Sequence, residues 1–546
     1  NLGGSLDAQA KLTASAITSA QGDTHGGTAS IGVAFALTLA THTVESTTLR
    51  DITAVGSVGF QALGSSASES DASASAAGAP GEDSGDHTSS DAPDAQATQQ
   101  RNYADSRAPA SGDSGGAGAT GSSDTSSGSV SVAAAVGINI STSSSKATIP
   151  TGIHITAGGA VTLKTSANSD SKAKGDGSAV TTGGSGVAVG AGVAVNVAHV
   201  HNEATAEAGS VISGQGFTAD ASMTNVSGDT THRFGAETTS GASGGKVGIG
   251  ASVSINIVDV HTTGAIRTGA SVNAGAGAVL LGAASTSDTI VKALPAGGGV
   301  GGASVGVGAS FALSVMDDTT FAGIEDGGTL TGGGNVTLLA VNVDTMTVDA
   351  KTGASSPKVS VAPAIAIALS NVTTSATIGT GAALNIGGTL DAKATERASA
   401  LTTAAGDAIG ASVAVGVALA LTLANHKVFS TTTRNITAGG AISFQALGSS
   451  ITGADTVAGA DGAPSKSDND SSGGGSVNDK GNQQLNFANS KSTGNGGDGA
   501  GSSETPKAST SDNSSDSVAV AAAISINIAK TTAQAILPNG LVLTAA

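Results

Sequence analysis

The chain of 546 residues is long enough for several domains, yet it contains 81 Gly, no Cys, no Trp, one Tyr and only 12% charged residues. Aromatic residues make up 2% and apolar residues 39% of the chain, so a core must be built from Ala, Val, Ile and Leu and be thin and repetitive. The net charge of −18 argues against nucleic acid as a partner, which requires a basic stripe. The missing cysteines exclude disulfides, thiolate metal sites and cysteine nucleophiles.

The first predicted element, residues 1–66, is a β-repeat unit that recurs later in the chain. It aligns without a gap on residues 385–450, a shift of 384, with 40 of the 66 positions identical. NLGGSLDAQA is matched by NIGGTLDAKA, and FQALGSS recurs unchanged. Because the sequence starts and stops within this super-repeat, we expect it to be a segment of a longer protein.

A low-complexity acidic insert follows at residues 67–128, and a second one occupies residues 451–516. They hold 10 and 9 acidic residues against 2 and 4 basic ones, and such Ser-, Gly- and Asp-rich segments cannot bury enough apolar surface to offset the entropy of ordering. We therefore predict solvated loops.

One patch recurs in both acidic inserts, QQRNYADSR and QQLNFANSK. An aromatic ring near a cation suits docking against the same chain or a neighbouring one, so we predict interaction residues at Tyr103, Arg107, Phe487 and Lys491.

The β-repeat body at residues 129–450 consists of shorter units near residues 129–185, 186–245, 246–303, 304–357, 358–408 and 409–450, and residues 517–546 begin another. Equivalent positions are separated by 57, 60, 58, 54 and 54 residues; they are Asn139, Asn196, Asn256, Ser314, Ala368 and Thr422. In VGIGASVSINI (247–257) large and tiny side chains alternate strictly, which predicts a strand. We expect the large residues, Val253 and Ile255 among them, to fill the interior and the tiny face to lie flat against another sheet.

Each unit carries a second strand signal after a Gly-rich turn, as in ITAGGAVTLKTSA (155–167). At about 3.3 Å per residue a unit of this length cannot be a single strand, so it must contain at least two long passes or about three shorter coils. Stacked units of this kind bury one continuous apolar seam. The predicted fold is all-β, an elongated repetitive β-solenoid (β-helix) or a set of stacked long β-hairpins with units of 54–60 residues, and the spacing does not choose between them.

At these residues the chain resembles the repeats of giant bacterial filamentous adhesins, the leukotoxin-like and filamentous-haemagglutinin-like surface proteins. The resemblance rests on the VGxGASVxxN-type strand followed by the TAGGxVTLxA-type strand, and it covers nearly all of the body outside the inserts. It implies secretion to the bacterial cell surface, a β-helical shaft and an adhesive or fibre-forming role. It brings no catalytic residue onto this chain.

One cluster of side chains is a candidate metal site. The unit alignment places His199, Asp259 and Asp317 in one column and stacks His201 on His261, and two His with a carboxylate can bind Zn or Cu if they converge. These residues share the parity of the large apolar residues, and charged groups are costly inside a core. We therefore expect the strand to end just before them, which leaves an exposed polar ladder. We predict no metal centre and no cofactor, with His199, His201, His261 and Asp259 as the candidates that a metal would use.

The sequence as a whole predicts a structural or adhesive extracellular protein, a stiff shaft or a self-associating filament on the bacterial surface. Its expected partners are like chains and a host or neighbouring-cell surface, and we expect no enzymatic activity. A parallel β-helix polysaccharide-active enzyme is the first alternative, although it needs clustered carboxylates or basic residues and aromatic rings in a cleft. An outer-membrane β-barrel or passenger region is the second, although aromatic girdles should then appear.

Overall fold

The computed structural model describes residues 1–26, 29–78, 130–181, 186–410, 412–461, 507–511 and 518–546. Within these ranges the protein is all-β, with strands and turns but no helix. Every pairing between its named strands is parallel. The prediction of an all-β fold is confirmed.

A short strand opens most units. β-branched residues favour the strand, and the Gly-containing turn that follows ends it after a few residues. Equivalent short strands pair with one another in two small sheets. They are β3 (Ile52–Ala54), β6 (His154–Ala157), β9 (Val211–Ser213), β12 (Ser271–Asn273), β14 (Thr329–Thr331), β17 (Leu384–Ile386), β20 (Ile436–Ala438) and β24 (Leu543–Ala545).

In each complete unit the short strand is followed by an outgoing strand and then by a return strand, and most of these are long. The outgoing strands are β1 (Leu6–Gly26), β4 (Val58–Gly78), β7 (Val161–Val180), β10 (Phe217–Met223), β15 (Val336–Ser356), β18 (Leu390–Gly410), β21 (Ile442–Asp461) and the separate piece β22 (Lys507–Ser511). The return strands are β2 (Ala29–Thr47), β5 (Val130–Ile149), β8 (Val187–Ala206), β16 (Val359–Ile378), β19 (Val413–Thr432) and β23 (Val518–Ile536).

In two units one continuous strand includes the return strand and all or part of the outgoing strand. They are β11 (His232–Ile266), whose outgoing pass begins in β10, and β13 (Val279–Ile324). Both run through unit boundaries that we placed from the sequence, at 245/246 and 303/304. The change of direction is made by register shifts in the strand pairing and by glycines with positive φ, Gly244 at 86° and Gly299 at 76°. Such φ values are accessible to glycine at little cost, so the turn needs no separate loop.

Each long strand pairs in parallel with the equivalent strand of the neighbouring unit. Asn139 pairs with Asn196, Asn196 with Asn256, and Asn256 with Ser314, so the spacing of these residues in the sequence matches the register of the strands. The outgoing and return strands of one unit therefore face each other through side chains and do not form hydrogen-bonded antiparallel hairpins. Paired strands lie about 4.8 Å apart while a 20-residue strand spans roughly 66 Å, so each unit is broad and adds little height.

The strands extend into the segments that we set apart as acidic inserts. β4 continues past Ala67 as far as Gly78, and β21 continues past Ile451 as far as Asp461. In β4 the inward positions include Ala72, Ala74 and Ala76, which are 0–2% exposed. Alternation of small residues is therefore enough to hold a strand here, even though the local composition is low in large apolar side chains.

The interior of each unit is wide at one end and narrow at the other. In the wide half the short strand, the start of the outgoing strand and the end of the return strand surround one large apolar cluster. Among its bulky members, Phe60, Phe217 and Leu281 are at most 1% exposed. In the narrow half two strands face each other. The buried cluster nearest the wide half still holds Phe234, Met316 and Met346, whereas the clusters at the far end consist almost entirely of Ala.

The expectation that large residues of the return strands fill the interior is wrong. On β13 the buried positions are Gly306, Gly308, Ser310, Ala312 and Ser314, and the large residues between them lie on the outer surface. On β11 Ser252 and Ser254 are buried, so Val253 and Ile255 point outward. The alternation was identified correctly, but the inner and outer faces were exchanged.

Backbone proximity explains this reversal. A methyl group built on Gly190 would collide with the carbonyl oxygens of Gly241 and Gly177, and one built on Gly177 would collide with the carbonyl oxygen of Ala191. The two sheets of the narrow half are thus closer than the usual separation of about 10 Å between packed sheets. The large side chains of the return strands cannot enter the gap where these glycines meet, so they occupy the outside.

Candidate interaction surface

The return strands present a continuous apolar surface to the outside. On β11 the outer residues are Val247, Ile249, Ala251, Val253, Ile255 and Ile257, and their partners on β13 are Val305, Val307, Ala309, Phe311, Leu313 and Val315. The paired positions on β2, β5, β8, β16, β19 and β23 are Ala, Val, Ile, Leu, Phe or Pro without exception. We call these six outer positions on eight neighbouring strands the apolar face.

Side chains of the apolar face are accessible among the described residues. In β5 and β11, which have a paired strand on each side, Ile140 is 39% exposed, Ile249 37% and Ile257 41%. In β2, Phe35 is 57% and Leu39 69% exposed. Soluble monomers rarely expose contiguous apolar patches above a few hundred Å², and larger ones mark interaction sites. The apolar face is therefore the principal candidate site of the molecule.

Towards the ends of the return strands the same outer surface becomes polar. His199, Asp259 and Asp317 lie side by side on three neighbouring strands, and the column continues with Asn371 and Asn425. His199 Nδ1 lies 3.5 Å from Asp259 Oδ2. Asn371 Nδ2 donates to Asp317 Oδ1 at 3.1 Å, and Asn425 Nδ2 donates to Asn371 Oδ1 at 2.9 Å. We call this column the polar strip.

The candidate metal residues lie in or beside the polar strip. His261 Nε2 is 2.9 Å from Asp259 Oδ1, and the rings of His201 and His261 have centroids 5.4 Å apart, so the predicted column and stacking are both present. The expectation that the strand ends before these residues is wrong, since β8 and β11 continue to Ala206 and Ile266. The residues can remain in the strand because their side of it faces solvent.

The electrostatics of this group favour neutral imidazole at one position. Burial, together with the neighbouring His261, lowers the pKa of His201. In the described part of the chain, no set of three or more His, Asp or Glu side chains has an arrangement that could hold a metal ion. His199, His201, His261 and Asp259 therefore form a chain of pairwise contacts along the sheet, and not a convergent ligand set.

The interior carries a ladder of buried amides that the sequence analysis used only as a marker of the repeat. Asn139 Nδ2 donates to Asn196 Oδ1 at 2.9 Å, and Asn196 Nδ2 donates to Asn256 Oδ1 at 2.8 Å. The ladder continues from Asn256 Nδ2 to Ser314 Oγ at 3.4 Å. All four residues are fully buried. A strand shifted by one residue would remove its amide from the ladder, so these bonds help to fix the register between units.

A second buried group, which the sequence analysis missed, contains three carboxyls. Asp318 Oδ2 accepts hydrogen bonds from Ser285 and Ser287 at 3.3 Å each, and burial raises its pKa to about 7. Glu396 Oε2 accepts from Thr374 Oγ1 at 2.9 Å, and burial raises its pKa to about 8.

Asp344 is 1% exposed, and neither carboxyl oxygen has a hydrogen-bond partner among the described residues. Burial raises its pKa well above the ordinary value, and nearby Asp318 and Glu396 raise it further. Strand parity at residue 344 could have shown that this carboxyl points inward. Because the alternation of β15 was not traced that far, the buried carboxyls were not identified.

The predicted docking residues Tyr103, Arg107, Phe487 and Lys491 lie outside the described residues, so that hypothesis remains a prediction. The described residues include no helix that could span a membrane. Comparison of the chain with protein-family models, with curated proteins and with solved structures finds no match.

Proposed function

We propose that this chain is a segment of an extracellular structural repeat protein whose units wind as a β-solenoid and form a stiff, self-associating shaft or filament at a bacterial cell surface. The observation that carries the proposal is the parallel pairing of equivalent residues from unit to unit, as in the column from Asn139 through Thr422. A longer chain of such units extends the same sheets without limit, because each unit leaves an edge that fits the next.

The surfaces support a structural role. The outer side of the outgoing strands carries charged residues, including Lys164, Asp391 and Lys393, whereas the outer side of the return strands carries the apolar face. Two broad, flat and chemically different surfaces suit lateral contacts with other macromolecules. The resemblance of the repeats to filamentous adhesins supports the cell-surface location and the adhesive role.

The solenoid can be tested with engineered disulfides, because the chain has no cysteine. Asp259 and Asp317 are paired across neighbouring units, and the usual spacing of about 4.8 Å between paired strands lies within the Cα separation of about 4.4–6.8 Å that a disulfide needs. The double variant Asp259→Cys/Asp317→Cys should therefore oxidise to an intramolecular disulfide. In the control Asp259→Cys/Thr319→Cys the second cysteine is offset by two residues and should remain reduced. Disulfide formation in the control, or its failure in the first variant, would overturn the proposed stacking.

The cellular role can be tested by microscopy of the bacterium that produces the protein. Antibodies against this chain, detected by immunogold labelling of unpermeabilised cells, should decorate surface filaments or stalks. Labelling that requires permeabilised cells would contradict the extracellular location. It would not affect the proposed stacking of units, which the engineered disulfides test.

A further inference from the structure

We infer that the apolar face is an interface for a second copy of this chain, packed sheet against sheet across a two-fold axis that runs parallel to the stacking of the units. The inference rests on the proposed function and names the surface and the partner of its self-association. In this arrangement each apolar face covers the other, and both stacks grow in the same direction. The polar strips lie on opposite borders of the shared interface.

The first argument is area. Six alternate positions span about 36 Å along a strand, and eight strands about 4.8 Å apart span roughly 38 Å, so the apolar face measures on the order of 1,400 Å². A stable protein–protein interface buries about 800 Å² on each partner. A second copy can thus be held by the apolar face alone.

The second argument is periodicity. Equivalent side chains of the apolar face form rows that cross neighbouring strands, and each row repeats at the spacing between units. Such a sheet packs well against another sheet whose rows have the same spacing. A second copy presents the same rows at the same spacing. Because the two-fold axis relates identical surfaces, side chains of one copy can fill the grooves of the other.

The third argument is charge. The apolar face contains no charged or hydrogen-bonding side chain, so its partner must be apolar as well. The neighbouring polar strip carries Asp259 and Asp317 and a single lysine, Lys530, which pairs with Asn425, and the chain has a net charge of −18. Helices that bind membrane surfaces flank their apolar side with Lys and Arg, and anionic lipid repels acidic groups. These charges favour another copy of the chain over a bilayer, and the polar strip supplies the solvated rim that protein interfaces have.

The test is sedimentation equilibrium of the full chain. The double variant Ile255→Lys/Phe311→Lys places two cations at the centre of the apolar face. The matched control, Leu339→Lys/Leu401→Lys, makes the same kind of change on the outer side of the outgoing strands, where the two leucines are 38% and 42% exposed. Parent and control should sediment as dimers of the 51.2-kDa chain. The I255K/F311K variant should sediment as a monomer, with association weakened by about 100-fold or more, because each buried unpaired charge costs several kcal/mol.

Folding of the I255K/F311K variant is checked by combining it with Asp259→Cys/Asp317→Cys, since the disulfide reports the stacking of units independently of mass. A variant that forms the disulfide and yet remains a dimer overturns the inference and leaves the solenoid standing. Failure of the disulfide in the parent background overturns the proposed function itself.

Three results with the parent protein would also overturn the inference. One is a monomer that floats with phosphatidylcholine vesicles, which would assign the apolar face to lipid. Another is a monomer that does not bind anilinonaphthalene sulfonate, which would show that other parts of the same chain cover the face. The third is any larger assembly that persists unchanged in the I255K/F311K variant.

Discussion

The wide and narrow halves of a unit bury their strands in different ways. In the wide half three strands surround Phe217, Leu281 and Leu338, and the space between them requires large side chains. In the narrow half two sheets meet across glycines such as Gly190 and Gly177, and an added methyl group would collide with the opposite backbone. The same alternating pattern therefore places large residues inside at one end of a unit and outside at the other. Alternation identifies the two faces of a strand, and the number of strands around the core decides which face is buried.

The largest effect should come from reversing the faces of a return strand in the narrow half. Ser254 is fully buried, so Ser254→Asp should destabilise the protein by about 4 kcal/mol, because it leaves an unpaired charge in the interior. Ile255 faces outward, so Ile255→Asp should change the free energy of unfolding by less than about 1 kcal/mol.

Urea unfolding of both variants measures this difference, at one low protein concentration where association does not contribute. Equal losses of stability would contradict the assignment of inner and outer faces.

Two Phe→Ala substitutions compare the halves directly. Phe217 is 1% exposed in the wide half, and Phe217→Ala should cost roughly 3–4 kcal/mol because it leaves a cavity. Phe311 lies on the apolar face, and Phe311→Ala should cost only about 1 kcal/mol in the monomer, since it leaves no closed cavity. Thermal unfolding should rank the variants in this order, and the reverse order would contradict the description of the two halves.

The narrow half should reject even one methyl group. Gly190→Ala forces the new Cβ against the backbone of the opposite sheet, and such overpacking costs about 1–3 kcal/mol. As a control, a Cβ at Gly353 would have its nearest neighbour, the carbonyl oxygen of Asp407, at 3.9 Å. Gly353→Ala should therefore leave the free energy of unfolding, measured with urea, within about 0.5 kcal/mol of the parent. If both alanine variants are as stable as the parent, the sheets are not in backbone contact.

The buried carboxyls predict a smaller, pH-dependent effect. Burial raises the pKa of Asp318 to about 7 and of Glu396 to about 8, and raises that of Asp344 well above its ordinary value. Between the ordinary value near 4 and these raised values the unfolded chain has released the proton that the folded chain retains. Each group therefore lowers the free energy of unfolding by roughly 1 kcal/mol per pH unit as the pH rises through this window.

Asp344→Asn removes one such group, so it should raise the melting temperature at pH 8 and have little effect near pH 4. The melting temperature of variant and parent, measured at both pH values, checks the sign. An equal effect of the substitution at pH 4 and pH 8 would show that Asp344 does not titrate in this way.

Most of the strand pattern could be predicted from the sequence, because strict alternation and the recurring asparagines are local signals. The parity of Val253 and Ile255 was also readable, but their orientation depends on the distance between two sheets, which no single strand encodes. The expected end of the strand before His199 followed from the same reversal, since a polar residue on a supposedly inner face had to be explained. The inward orientation of Asp344 could be read from the alternation of β15, although a buried carboxyl conflicts with the usual cost of burial.

The constant register between neighbouring units has a consequence for how such a gene can change. Residues 1–66 and 385–450 match in sequence. Leu2, which pairs with Ala54 of β3, marks the first unit, and β17 is the sixth short strand after it. The two copies are therefore six units apart. Recombination between the two copies would insert or remove six complete units, about 29 Å of stacked height. Every junction created in this way joins strands of the same parity and register, so the length of the protein can vary between generations while each newly adjacent pair of units fits as before.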